Sequence, residues 1–298
     1  MSEKTKPFKT IEEQINLLEQ RGLVIEDKKE AEDILAHYNY YRLSGYTLTL
    51  RKDDKFFENV RFSDVMQIYN FDAMLRSLLL YVLEYIEVSF RTYIGYCHAK
   101  EYGPLGYLNS KSFDDAERFF KFKNDLDEAI NDNGKNEIFI RHHKDRYEGN
   151  IPIWVVVELL SFGTLSRLFK NLCCDTRKYI CKNNYGLISD EYIGNWLQGL
   201  TILRNICAHR GRLYNRYINF SLPFSSKDKR KLREFGLDIQ VVSKQLFSYI
   251  FIINKLVKDE EVWVNFIGRF ERLIEKYPFV KISYYGFPEN WRDILKRE

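Results

Sequence analysis

The sequence predicts an all-α protein, and three observations carry that prediction. Apolar residues recur at steps of three and four over long stretches, only six prolines and fifteen glycines interrupt 298 residues, and a single short segment alternates like a strand. Charged residues make up 30% and the hydrophobic set 45%, which excludes a disordered or fibrous chain. The length fits one or two domains.

Taken in order, Thr10 followed by Glu13 has the form of a capping box, and Ile11, Ile15, Leu17 and Leu18 give a stripe ending at Gly22. A second helix is expected from about Asp27 to Tyr40, closing in the aromatic segment HYNYYRLSGY at 37–46. The stretch TLTLRKDDKFF at 47–57 alternates and then carries a charged turn, so it is the one expected hairpin. Ser63 and Asp64 open a long helix reaching about Lys100, with Val65, Ile68, Phe71, Leu75, Leu79, Val82, Ile86, Phe90 and Ile94 on one face and Tyr-Gly-Pro at 102–104 as its stop. Further helices are expected over about 114–132, 136–147, 152–171 (bent near Gly163), 175–184, 189–208, 238–257 and 260–277, with NDNGKN at 131–136 as the clearest polar break. The tail from Phe279 reads as a docked extended segment with a short final helix. A boundary near residue 60 divides a small, mostly helical N-terminal module, 1–60, from a helical body, 61–298.

Lys plus Arg number 46 against 42 for Asp plus Glu, a net charge of +4 that is too mild for a polybasic binder. Any nucleic-acid contact must therefore concentrate its charge in one place. Five cysteines without a C-x-x-C pair read as reduced thiols. The N-terminal MSEKTKPFKTIEEQ lacks the apolar core of a signal peptide, and runs such as LLLYVL at 78–83 are too short to span a bilayer. The expectation is a cytoplasmic protein without a membrane partner.

The charge concentrates at RNICAHRGRLYNR, residues 204–216. It holds Arg204, Arg210, Arg212, Arg216 and His209 without an acid, and its four arginines match the net charge of the whole chain. Guanidinium groups present planar, paired donors to phosphate oxygens. Tyr214 and Tyr217 interleave them as candidates for stacking on unpaired bases. Histidine moves a proton near neutral pH. Arginines and a histidine suffice to cleave RNA, because the 2′-hydroxyl is an internal nucleophile and the protein need only move protons and hold a charged phosphorane. The bare Arg-to-His spacing is common, and a looser version recurs at Arg91 and His98. A basic helix terminus also fits plain capping against the macrodipole. What distinguishes 204–209 is its place at the end of a strongly patterned helix, with Asn205 beside the arginine and more arginines following.

The chain resembles the AbiD/AbiF-type abortive-infection proteins of bacteria, which carry a HEPN-type ribonuclease motif. The resemblance rests on KPFKTIEEQINLLEQRGL at 6–23, HYNYYRLSGY at 37–46, YNFDAMLRSLLLYVLEYIEVSFRTYI at 69–94, YGPLGYLN at 102–109, IPIWVVVELLSFGTLSRLFKNL at 151–172, LRNICAHRGRLYNR at 203–216 and YYGFPENWRDIL at 284–295. It implies a HEPN-like helical bundle behind the N-terminal module, with Arg204, Asn205 and His209 as the catalytic motif. It also implies a homodimer whose site combines the motifs of both protomers, and RNA as partner, either as substrate or as a structured non-coding RNA held by the protein. Arg210, Arg212, Tyr214 and Arg216 are then the expected RNA-binding residues. A non-catalytic RNA-binding module using the same arginines is the alternative.

Other features weigh less. Arg91 and His98 lie two turns apart on one helical face, and packing or an ion pair of Arg91 with Glu84 or Glu87 competes with RNA contact. His142 and His143 are adjacent and so face different ways on a helix. Cys173, Cys174 and Cys181 lack zinc spacing, and Cys207 reads as a small packed residue. The tyrosines of 37–46 suit a core or interface better than a base-stacking platform. KDKRKLRE at 227–234 fits either backbone contact or a solvated helix face. With no P-loop and no G-x-G-x-x-G, neither a cofactor nor a metal is expected.

Overall fold

Thr10 opens the first helix of the computed structural model, which describes residues 5–133, 137–186 and 188–297. Its hydroxyl accepts from the Glu13 amide while the Glu13 carboxylate accepts from the Thr10 amide, so the capping box starts α1 (Ile11–Gln20). Asp27 caps α2 (Lys28–His37). That helix stops short of the expected Tyr40: Tyr38 is extended, and the Asn39 side chain accepts from the Tyr41 amide to start a separate α3 (Tyr40–Ser44). The hairpin is present but small, β1 (Arg51–Lys52) against antiparallel β2 (Lys55–Phe56). Asp53 and Asp54 both take positive φ at its two-residue turn, the twist that flanking strands require.

The axis of the molecule is α4 (Phe62–Tyr102), 41 residues and about 60 Å long at 1.5 Å per residue. Gly103, with φ of +80°, ends it. Around it lie α5 (Ala116–Asn133), α6 (Ile138–Arg146), α7 (Ile153–Leu159), α8 (Phe162–Asn171), α9 (Cys174–Tyr185), α10 (Asp190–Ala208), α11 (Ser226–Glu234), α12 (Ile239–Val242), α13 (Leu246–Leu256), α14 (Glu260–Lys276) and α15 (Trp291–Leu295). Helices α7, α10 and α14 pack along α4, and one continuous apolar cluster draws side chains from both sides of residue 60. The fold is all-α. No helix among the described residues is long and apolar enough to cross a membrane.

Two expected helices are divided. The 152–171 segment breaks at Leu160 and Ser161 rather than bending at Gly163. Ser161 caps α8, and the Arg91 guanidinium donates to the carbonyls of Val157 and Leu160, which ends α7 from outside. The 238–257 segment divides into α12, capped by Asp238, and α13. The basic 227–234 stretch is itself helical, as α11 behind its Ser225 cap. The tail docks as expected: a 3₁₀ turn at Ile282–Tyr285 precedes α15, with Tyr285 buried against Phe71. Of the expected polar break, residues 134–136 lie outside the described residues.

Candidate functional site

Helix α10 carries the Arg204–His209 stretch to the protein surface. Ser189 caps its start, and Ile193, Trp196, Leu197, Leu200, Leu203 and Cys207 form its buried face. The chain that follows runs back close along it: a Cβ at Gly199 would sit 2.6 Å from Leu222 Cδ2. His209 is the C-cap, its amide donating to the Asn205 carbonyl at 3.0 Å. The Arg210 amide then donates to Cys207 O at 3.1 Å and the Gly211 amide to Ile206 O at 2.7 Å, the paired closure of a Schellman motif. Glycine usually occupies the left-handed position of that motif. Here it is Arg210, at φ of +57°, where a side chain costs about 1 kcal/mol.

Arg204 is half-buried, and Asn205, His209 and Arg210 are exposed. Among the described residues none of these four side chains has a hydrogen-bond or ion-pair partner. Asn205 and His209 are four residues apart and share a helical face, whereas the five-residue step from Arg204 to His209 is about 140° of rotation. The macrodipole's negative end lies at this terminus and favours cations there.

The rest of the stretch turns inward. Arg212 is half-buried and donates to the carbonyls of Tyr214 and Asn215, with its Nε packed over Gly45, so it braces the loop. Arg216 is exposed, one nitrogen donating to Arg212 O at 3.2 Å. Tyr214 corrects the expectation of a base-stacking ring: it is 2% exposed, wedged among Tyr46, Tyr284 and Tyr285, with its hydroxyl 2.6 Å from Thr49 Oγ1. Burial pushes its phenol up to about 12. Tyr217 is 62% exposed, with no ring contact among the described residues.

What draws the loop inward is an acid from α4. Asp72 is fully buried and accepts from the amides of Leu213 (3.2 Å) and Tyr214 (2.9 Å) and from the hydroxyls of Tyr46 (2.8 Å) and Tyr285 (3.0 Å). Arg76, one turn along, pairs with it and reaches the Gly211 carbonyl at 3.4 Å. Burial raises the Asp72 carboxyl, and Arg76 is the chief influence opposing that rise. Arg42 adds a further hold, donating to the Arg210 carbonyl at 2.6 Å. Neither Asp72 nor Arg76 belongs to a catalytic or binding motif that the sequence singles out. The signal was their position: two opposite charges four residues apart on the same apolar stripe as Ile68, Leu75 and Leu79.

Arg91, His98, His142 and His143 lie outside this stretch, on other helices. Arg91 pairs with Glu87, the bridge weighed from sequence, and terminates α7. His98 is fully buried among Tyr102 and Phe113, neither ring nitrogen hydrogen-bonded among the described residues, and burial holds its pKa down at about 4. His142 is exposed, while His143 is half-buried with its Nδ1 2.7 Å from the Phe139 carbonyl. Cys207 is buried and its thiol pushed up to about 12. In the 37–46 segment Tyr46 is core and Tyr41 is 84% exposed. Among the described residues no group of three or more His, Cys, Asp or Glu is placed to hold a metal ion.

Fold and site together define an all-α protein that displays arginine and histidine side chains without partners among the described residues, where a helix meets an internally braced loop. Residues 33–215 match the family described as Abi-like protein. That span is more than half of the chain, and the chain belongs to this abortive-infection family. Comparison with curated proteins and with solved structures gave no match.

Proposed function

We propose that the protein is a HEPN-type endoribonuclease of an anti-phage or toxin system, needing no metal and acting in the cytoplasm as a homodimer. The observation that carries this reading is the set of uncompensated side chains, Arg204, Asn205, His209 and Arg210, on a backbone held by buried contacts. Residues 1–60 act as a module bracing the site, and 61–298 as the body that bears it. The divergence of Arg204 and His209 around the α10 axis supports a composite site, in which each protomer meets the groups of its partner across the scissile phosphate.

In the reaction one His209 takes the proton from the RNA 2′-hydroxyl, whose oxygen attacks phosphorus. The second His209, as imidazolium, gives its proton to the departing 5′-oxygen. The P–O5′ bond breaks, leaving a 2′,3′-cyclic phosphate and a 5′-hydroxyl, with one proton taken and one returned. The Arg204 pair holds the phosphate and the charge that grows on it. Asn205 orients His209. Arg210 and Arg216 hold flanking phosphates, and Tyr217 replaces Tyr214 as the stacking ring.

The test is cleavage of end-labelled total RNA in excess EDTA by wild type, His209→Ala and Arg204→Ala. Cutting that leaves cyclic phosphate ends and vanishes in both variants supports the reading. Cutting that survives in both means that the residues are misassigned, and binding without cutting favours a module that holds a structured RNA.

A further inference from the structure

We infer that Asp72, charge-paired with Arg76, is the positioning residue of the His209 turn; this rests on the ribonuclease reading above. The described residues bury two carboxylates, Asp72 and Asp228, and they are used differently. Asp228 accepts from Lys255 and from Ser225, the cap of its own helix, so its work is local. Asp72 reaches 141 and 142 residues along the chain to two amides that belong to no helix or strand. An apolar side chain fills a core at less desolvation cost than a carboxylate does. What a carboxylate adds is an acceptor set that specifies one backbone path.

That path begins at the site. Gly211 O hangs on Arg76, and the Leu213 and Tyr214 amides hang on Asp72, so the residues two to five after His209 are tied to one turn of α4. Tyr46 from the N-terminal module and Tyr285 from the tail close over the same carboxylate and shut out water. The strained Arg210 is held from both sides, by the Schellman closure before it and the Asp72 anchor after it. Backbone is fixed while the His209 and Arg210 side chains stay free, and proton transfer at a composite site tolerates little displacement.

The test compares Asp72→Asn with Asp228→Asn in the full chain. Asp72→Asn keeps the volume but turns an amide donor toward a ring of donors. It is expected to lower kcat on the order of 100-fold per folded molecule with RNA affinity scarcely changed, because the guanidinium groups of Arg210 and Arg216 have no hydrogen bond to Asp72. Amide exchange at Leu213 and Tyr214 should quicken and the His209 ring resonance should broaden. Asp228→Asn should lose stability without these changes. If Asp72→Asn does not fold, Tyr46→Phe and Tyr285→Phe each remove one donor from the same carboxylate and should lower kcat in smaller steps. Unchanged kcat with unchanged His209 signals, or an equal fall in Asp228→Asn, overturns the inference. A wild type that binds but never cuts refutes the ribonuclease reading alone; the exchange and resonance measurements then decide whether Asp72 positions His209.

Discussion

The Arg42 guanidinium donates to the carbonyl of Arg210 at 2.6 Å, joining residues 168 apart in sequence. The same side chain donates to the Tyr69 hydroxyl and lies over its ring. Arg42→Ala should therefore cost about 1–2 kcal/mol in a denaturation curve. RNA cleavage should fall by more than the folded fraction does, since the carbonyl released belongs to the strained residue next to His209. Cleavage that tracks the folded fraction would count against a bracing role for the N-terminal module.

Arg210 separates stability from activity. Glycine accepts φ of +57° without penalty, so Arg210→Gly should stabilise the fold by about 1 kcal/mol. It should also remove one phosphate contact and reduce the salt dependence of RNA binding by about one unit of slope. Thermal melting and a salt titration check the two halves, and a variant that is less stable would contradict the strain.

The two tyrosines of the loop should behave oppositely. Tyr214→Phe loses the hydroxyl bond to Thr49 and should destabilise by about 1 kcal/mol while leaving RNA affinity alone. Tyr217→Ala should weaken binding of single-stranded RNA by about 1–3 kcal/mol and leave the melting temperature nearly unchanged. Fluorescence anisotropy with a short unpaired oligonucleotide distinguishes them.

Acid should weaken the fold through His98. Burial holds its imidazole near pKa 4, whereas an unfolded chain protonates this residue near 6.5. Between those values the unfolded state binds a proton that the folded state refuses, so this contribution is complete above pH 6.5 and is lost as pH falls toward 4. The whole effect is about 3 kcal/mol. Urea midpoints at pH 7, 6 and 5 should decline less steeply in His98→Gln than in wild type; parallel declines would assign the acid sensitivity elsewhere.

Close packing behind the site gives a last test. A methyl at Gly199 would press on Leu222 and on Phe220, so Gly199→Ala should cost about 1–3 kcal/mol. A neutral melting curve would show that the returning chain can give way.

What sequence revealed here was local. Thr10 and Glu13 are three residues apart and satisfy each other, so their helix start could be read directly. The long stripe of α4 repeats often enough to mark its length within two residues at each end. The break at Leu160 could not be read, because the group that ends α7 is Arg91, 69 residues earlier. Tyr214 was misread for the same reason: alternation with arginines suggests exposure, and only the distant Asp72 turns its backbone inward. Arg204 is half-buried, whereas the exposure of Asn205 and His209 was legible, since they share the polar side of a patterned helix. Their support was not, since it comes from three separated parts of the chain.

The cage around Asp72 also sets an order of assembly. Its members are Tyr46, Asp72, Arg76, Leu213, Tyr214 and Tyr285, and the last of these follows the first by 239 positions. A chain emerging from the ribosome displays Arg204 and His209 well before Tyr285 arrives to close the cage. The turn next to His209 thus takes its final form only after Tyr285 has emerged. A nascent chain that already carries Arg204 and His209 but not yet Tyr285 therefore presents them beside a carboxylate that is still open to water.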